Sequence, residues 1–107
     1  MKYYHDLYLS KSLLSKKETI IEKLENNQWQ LSKYLLVLAQ NENNHLEFFD
    51  SVLLTQNLMP KEDLFVVGIA DSYLGAVDMV QKITEEVYAS TGNTNIRSYL
   101  LSKESNA

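Results

Sequence analysis

Two short polar segments carry side chains able to hold a small molecule by hydrogen bonds and charge. Residues 40–45 supply asparagine amides and one imidazole, and residues 70–73 supply a carboxylate and a hydroxyl. Each segment follows an apolar run that predicts a buried strand and leads into a predicted helix, whose free N-terminal N–H groups favour an anion. The candidate ligand-binding residues are Asn41, Asn43, Asn44, His45, Asp71 and Ser72.

Helix capping is the alternative role for these residues, since Asn and Ser are favoured at N-caps and in turns. A metal site built from His45, Glu42 and Asp71 would depend on the fold alone, because neither of the two histidines has a second histidine at metal-ligand spacing. The sequence therefore predicts no metal and no cofactor. An enzyme would require His45 and a carboxylate within hydrogen-bond distance of each other in one cavity.

Catalytic and nucleotide-binding motifs are missing from the sequence. The stretch from Gly68 to Gly75 matches neither a dinucleotide-binding loop nor a P-loop, and Ser72 lacks the glycines of a nucleophile elbow. Glu85 and Glu86 are neighbours in a predicted helix, so they point about 100° apart and do not form a general acid–base pair. We expect no catalytic residues, and we expect Gly68 to let a helix pack closely on its strand.

Composition disfavours several classes of protein. The chain has 107 residues, no cysteine and a net charge of −4 at pH 7, and ten basic residues include only one arginine, Arg97. Nucleic-acid binding is disfavoured because the guanidinium groups that grip phosphates are almost absent. The apolar runs fall far short of the roughly 18 residues that span a bilayer, and no secretory signal is visible. We expect a cytoplasmic protein with no nucleic-acid partner and no membrane association.

Helices and strands alternate along the predicted chain. Hydrophobic periodicity predicts helix 10–27, strand 34–39, a helix from 43 or 44 to about 56, strand 64–70, a helix from 71 or 72 to about 91, and strand 95–101. The runs 34–39 and 64–70 lack polar alternation, which is typical of strands buried on both faces. A buried helix at 34–39 gives the all-α alternative. Residues from about 102 are expected to form a flexible polar tail.

The predicted fold is a single α/β domain, with a small three-stranded, mainly parallel sheet and the order α-β-α-β-α-β. Strands separated by helical crossovers normally pair in parallel. The first two strands should then bring their carboxyl ends and the two polar segments together, at the position where α/β domains bind ligands. Because such a sheet has two open edges, we expect a homodimer formed through the third strand or the first helix.

Aromatic residues outside the predicted core indicate a surface for a protein partner. Phe48 falls off the apolar stripe of its predicted helix, Trp29 lies in a connector, and Tyr99 lies in the predicted edge strand. These three are the candidate interface residues. For Trp29, Phe48 and the neighbouring Phe49, the alternative role is a second core layer against the first helix.

Several segments together point to a family: residues 34–39, 43–47, 64–70, 85–88, 91–92 and 96–100. In these segments the chain resembles a family of short bacterial proteins of unknown function, and the resemblance covers most of the chain beyond Leu7. It implies a cytoplasmic bacterial protein and carries no catalytic residue across.

These observations predict a non-enzymatic module that binds another protein or a second copy of itself. Most apolar residues are assigned to one core, and the remaining polar residues are explained as helix caps. The alternative function is binding of a small ligand or anion by the loops at the carboxyl ends of the first two strands. An enzyme is the third hypothesis.

Overall fold

A four-stranded mixed sheet forms the centre of the computed structural model, which describes residues 1–39, 45–58 and 60–107. The strands are β1 (Lys2–Leu9), β2 (Tyr34–Leu38), β3 (Leu46–Asp50) and β4 (Phe65–Ala70). Their spatial order is β1-β4-β2-β3. β1 and β4 are parallel, whereas β2 runs antiparallel to both β4 and β3.

Helices cover both faces of this sheet. They are α1 (Lys17–Glu25), α2 (Val52–Thr55), α3 (Tyr73–Thr91) and α4 (Ile96–Ser105), with 3-10 helices at Lys11–Lys16 and Lys61–Asp63. α3 and α4 pack on one face, here called the α3 face, and α1 and α2 pack on the other, called the α1 face. Within the described residues, no helix has the length and apolar character needed to cross a membrane.

The two middle strands are buried on both faces. Successive side chains of a strand point to opposite faces, so each strand contributes to two apolar layers. Leu36 and Val67 belong to the layer on the α3 face, and Leu35 and Val66 belong to the layer on the α1 face. All four are fully buried. The two predicted buried strands are therefore confirmed, and the all-α alternative is wrong.

Local capping explains the helix that follows β4. The Ser72 hydroxyl accepts a hydrogen bond from the Gly75 backbone N–H at 2.9 Å, and Gly92 ends the helix with a φ of 75°. Both features match the predicted third helix, which is confirmed. The first predicted helix is also present, although Lys11–Lys16 forms a 3-10 helix before α1 begins.

The predicted strand at residues 95–101 is wrong, because this segment forms α4. Ile96 and Leu100 are buried four residues apart, as one face of a helix requires, and the Asn95 side chain accepts a hydrogen bond from the Ser98 N–H at 3.0 Å. Apolar residues in so short a segment fit both a helical and an alternating pattern. Residues 102–105, which the sequence places in a polar tail, belong to the same helix.

The predicted second helix is wrong over residues 46–50, which form a strand, and only its last turn is helical. Its expected start at Asn43 or Asn44 lies outside the described residues, and the segment from Leu46 forms β3 followed by the single turn α2. Leu46 and Phe48 pack toward the α3 face and Phe49 toward the α1 face, which is the alternation of a strand. β3 pairs antiparallel with β2, so a strand occupies part of the segment that the prediction assigns to a helical crossover between β2 and β4.

The three-stranded, mainly parallel sheet is therefore wrong in both number and direction. The N-terminal strand β1 adds a fourth strand, and the one parallel pair among the described strands is β1 with β4. β1 is irregular: Tyr3 lies opposite Val66 and Tyr8 opposite Gly68, so extra residues bulge between them. The polar residues of this bulge interrupt the apolar pattern, which is why the sequence does not predict a strand here.

A shared carboxylate joins β1, α3 and α4. Glu86 Oε2 accepts hydrogen bonds from the hydroxyls of Tyr8 at 2.7 Å and Tyr99 at 2.9 Å. Burial and the neighbouring Glu86 raise the pKa of Tyr8, so this hydroxyl keeps its proton and remains a donor. The bonds hold the N-terminal strand and the C-terminal helix against α3.

At Gly68, the Met79 side chain of α3 and the backbone of β1 both come close to β4. A Cβ atom there would lie 2.6 Å from Met79 Sδ and 3.2 Å from the Tyr8 carbonyl oxygen. The first contact can relax because the Met side chain is flexible, whereas the second involves backbone. The expectation that Gly68 lets a helix pack closely on its strand is confirmed.

Replacing Gly68 by Ala should lower the free energy of unfolding by about 1–3 kcal/mol, the usual cost of overpacking a core. Urea unfolding of the variant measures this loss. The matched control is the double variant Gly68→Ala/Met79→Ala, in which the nearest obstructing atom is removed. Its loss should be smaller than the sum of the two single losses, and strictly additive losses would contradict the proposed contact.

Candidate functional site

The predicted ligand site is not assembled as the sequence indicates. β2 and β4 are antiparallel, with Tyr34 opposite Ala70, so Asp71 and Ser72 lie beside the beginning of β2. His45 lies beyond the other end of β2, where its carbonyl oxygen accepts a hydrogen bond from the Ala39 N–H at 3.1 Å. The expected proximity of His45 to Asp71 and Ser72 is therefore wrong. Asn41, Asn43 and Asn44 lie outside the described residues, as does Glu42.

A different pair of strands brings carboxyl ends together. β1 and β4 are parallel neighbours, and the helices that follow them cover opposite faces of the sheet: α1 lies on one face and α3 on the other. A crevice forms where neighbouring parallel strands send their chains to opposite faces, and open α/β sheets bind ligands in such crevices. The carboxyl ends of β1 and β4 are therefore the position in this sheet where a ligand site is expected.

An open cleft of about 390 Å³ occupies this position, and we call it the strand-end cleft. Its volume lies in the range of small-molecule sites. The residues that line it come from the end of β1, the 3-10 helix after it and the first turns of α3: Tyr8, Leu9, Ser10, Lys11, Leu14, Asp71, Gly75, Asp78, Met79 and Lys82. Of the predicted ligand-binding residues, Asp71 lines the cleft, and Ser72 is hydrogen-bonded to Asp71.

Serine hydroxyls hold the Asp71 carboxylate in place. The Ser12 hydroxyl donates to Oδ2 at 2.6 Å and the Ser72 hydroxyl to Oδ1 at 3.3 Å, while Ser10 Oγ accepts from the Asp71 backbone N–H at 3.0 Å. These hydrogen bonds, with Ser12 first, lower the pKa of Asp71 below its ordinary value. Asp71 is therefore a carboxylate at neutral pH, and its negative charge lies beside the N-terminus of α3.

Gly75 allows Asp71 and Ser72 to sit against the first turn of α3. A Cβ atom at position 75 would lie 2.8 Å from Asp71 Oδ1 and 3.0 Å from Ser72 Oγ. A larger residue would displace the capping hydroxyl, so the wall of the cleft depends on this glycine.

Three charged side chains of the cleft are available to a ligand. Lys11 lies in the 3-10 helix after β1, and Asp78 and Lys82 lie one turn apart on α3. All three are exposed, and none makes a hydrogen bond or an ion pair through its side chain with any other part of the described chain. The cleft thus presents two ammonium groups and one carboxylate that have no partner within residues 1–39, 45–58 and 60–107.

The candidate interface residues do not form one surface. Trp29 is 63% exposed in the connector between α1 and β2. Phe48 lies on β3 at one side of the sheet, whereas Tyr99 bonds to Glu86 on the side of β1. Phe48 and Tyr99 are half-buried and pack against the core of the α3 face, on the opposite side of the sheet from α1. The alternative role, a second core layer against the first helix, is therefore wrong for Phe48 and for the exposed Trp29, and it describes Phe49, which packs on the α1 face.

One side of the sheet ends in an unpaired strand, β3. The Ala39 N–H donates to the His45 carbonyl and the Ser51 N–H to the Lys33 carbonyl, at 3.1 and 2.8 Å. Because hydrogen-bonded positions alternate along an antiparallel pair, the backbone groups of residues 46, 48 and 50 point away from β2. We call these outward groups the β3 edge, and no strand of the described chain pairs with it.

An apolar surface adjoins the β3 edge. The ring of Tyr73, on the first turn of α3, lies 5.5 Å from the Phe48 ring and 6.1 Å from the Tyr34 ring, measured between centroids. Tyr73 is 58% exposed and Val77, one turn later, is 40% exposed. We call Tyr73 and Val77 the α3 flank, and Phe48 connects this flank to the edge strand.

Sequence reasoning missed the residues of the cleft that follow β1. A signal was present: Tyr4 and Tyr8 face the core under α3 while Tyr3 and Leu7 face the other core, and tyrosine is common in strands. A strand assigned to residues 2–9 would have placed Ser10, Lys11 and Ser12 at a strand end, where ligand-binding loops lie.

Neither metal chemistry nor a known relative identifies the site. Among the described residues, no group of three or more His, Asp or Glu side chains is arranged to hold a metal ion. Searches against protein-family models, curated proteins and solved structures find no match. The resemblance to short bacterial proteins of unknown function stays a prediction.

Replacing Ser12 by Ala should raise the pKa of Asp71 toward its ordinary value, because the shortest hydrogen bond to the carboxylate is lost. The folded-state pKa of Asp71 lies below the unfolded-state value of about 3.9. The charged carboxylate therefore stabilises the fold at a pH above the unfolded-state pKa, and this stabilisation is lost as the pH falls through the folded-state pKa. The variant should therefore unfold more easily at pH 7 and differ little from wild type in strong acid.

An NMR titration of the Asp71 carboxyl carbon, with urea unfolding at both pH values, checks this expectation. Ser15→Ala is the matched control, since Ser15 is exposed in the same 3-10 helix and its hydroxyl has no partner among the described residues. An unchanged Asp71 pKa in Ser12→Ala would show that the hydrogen bond does not form in solution.

Proposed function

We propose that the protein binds a small polar molecule in the strand-end cleft. The observation that carries this proposal is the crevice of about 390 Å³ between β1 and β4, whose following helices cover opposite faces of the sheet. This arrangement is how α/β folds generally create ligand sites. The proposal takes up the ligand-binding alternative from the sequence and moves it from the β2–β4 pair to the β1–β4 pair.

The charges of the cleft select the class of ligand. Lys11 from the 3-10 helix and Lys82 from α3 attract an acidic group, and Asp78 accepts a hydrogen bond from a hydroxyl or an ammonium group. The fixed charge of Asp71 disfavours an anion directly at the start of α3. The best match is a small molecule with one acidic group and one hydroxyl or amino group, such as an amino acid or a hydroxy acid.

Binding, and not catalysis, is the function that we propose for this cleft. Its lining contains neither of the chain's histidines, and the hydroxyls of Ser12 and Ser72 donate to a carboxylate that remains charged. A carboxylate with a lowered pKa is a weak general base. The proposal therefore includes no reaction step and no cofactor, and the cytoplasmic location expected from the sequence stays a prediction.

Amide NMR spectra recorded with a panel of amino acids and hydroxy acids test the proposal. We expect shifts that cluster at Lys11, Gly75 and Lys82, and we expect Lys82→Gln to weaken binding about tenfold, which corresponds to 1.4 kcal/mol. Lys23→Gln is the control, because Lys23 is exposed on α1 and does not line the cleft. Shifts that map elsewhere, or no shifts with any compound of the panel, would overturn the proposal.

Protein interaction is a second candidate function, and a separate observation supports it. The outward backbone groups of the β3 edge lie beside the exposed aromatic surface of the α3 flank. An extended segment of another chain can add to such an edge as a further strand. Phe48, a candidate interface residue from the sequence, lies at the centre of this surface.

A further inference from the structure

We propose that the β3 edge pairs with the β3 edge of a second copy of this chain, antiparallel and around a two-fold axis at Phe48. The result is one continuous sheet with four strands from each copy. This inference rests on the second candidate function and names its partner, and it is independent of the strand-end cleft.

The two edges of the sheet differ in how they are protected. At the β1 edge, Glu104 of α4 accepts hydrogen bonds from the His5 backbone N–H at 2.8 Å and from the His5 side chain, Nδ1 to Oε1, at 2.7 Å. A charged side chain that occupies an edge N–H prevents strand pairing there. The β3 edge has no such cap within the described chain. Strand addition is therefore directed to β3.

Charge and the length of β3 together select the register of the pair. With the axis at Phe48, Glu47 lies opposite Phe49 of the partner subunit, and Asp50 lies opposite Leu46 of the partner subunit. All five residues of β3 are then paired. An axis one residue earlier would place Glu47 opposite Glu47 of the partner subunit, and like charges in directly opposite positions are destabilising. The arrangement at Phe48 places each carboxylate opposite an apolar side chain.

The apolar surface next to the edge adds side-chain contact to the backbone hydrogen bonds of a short strand pair. Stable interfaces bury about 800 Å² on each partner, more than a few backbone hydrogen bonds provide. The axis places Phe48 beside Phe48 of the partner subunit on the α3 face, and each ring is already in contact with Tyr34 and Tyr73. The two aromatic clusters then lie on the same face of the combined sheet, and this accounts for the exposure of Tyr73.

Single cysteines test this geometry cleanly, because the chain has none of its own. In a hydrogen-bonded antiparallel pair the opposite Cα atoms are about 5.5 Å apart, within the range that a disulfide spans. Phe48→Cys should therefore give a covalent dimer on mild oxidation. Leu46→Cys is the matched control, because residue 46 lies on the same edge and the same face as residue 48. In the proposed register, residue 46 of one subunit lies four residues along the strand from residue 46 of the partner subunit, so about 13 Å separates the two cysteines.

The mass of the wild-type chain provides the second measurement, independent of any variant's stability. Sedimentation equilibrium at micromolar concentrations should give twice the 12.4 kDa of one chain. A mass of one chain at every concentration would overturn the proposal, and so would a dimer in which Leu46→Cys cross-links and Phe48→Cys does not. Neither result bears on the cleft, whose proposal depends on the amide shifts alone.

Discussion

Parallel pairing of β1 with β4 is the constraint on which the architecture depends. It brings the N-terminal strand beside a strand from the second half of the chain and makes β4 an inner strand of the sheet. A sheet that is apolar on both faces needs a helix layer on each face. α1 follows β1 onto one face and α3 follows β4 onto the other, so the strand-end cleft is a direct consequence of covering both faces.

Gly68 and the hydrogen bonds of two tyrosines to Glu86 support the pairing of β1 with β4. Gly68 leaves room for the Met79 side chain of α3 and for the backbone of the bulged β1 at Tyr8, and an added Cβ atom would press on both. Glu86 then receives the hydroxyls of Tyr8 and Tyr99, and these two bonds tie both ends of the chain to α3. Partly buried, charge-assisted hydrogen bonds of this kind are stronger than neutral ones. α4 is thereby held where Glu104 reaches the β1 edge.

The two proposed functions use opposite parts of the sheet and do not compete. The cleft lies at the carboxyl ends of β1 and β4, whereas the β3 edge lies on the far side, beyond β2. A dimer joined at β3 would leave both clefts open, with one at each side of the combined sheet. α3 contributes to both sites through different residues: Gly75, Asp78 and Lys82 line the cleft, and Tyr73 and Val77 form the flank.

The local pattern of apolar and capping residues was enough to predict the elements in which that pattern is strong. β2 and β4 follow from runs of apolar residues, and α3 follows from its apolar stripe between Ser72 and Gly92, because burial and capping act over a few residues. Tertiary structure decided the rest. The direction and the partner of each strand depend on hydrogen bonds between distant segments. Short segments such as 46–50 and 96–100 fit both the helical and the strand periodicity of apolar residues, and the neighbour that covers one face decides between them. Asp71 was therefore recognisable as a residue at the end of a strand, whereas its hydrogen-bond partners Ser10 and Ser12 are placed beside it only by the pairing of β1 with β4.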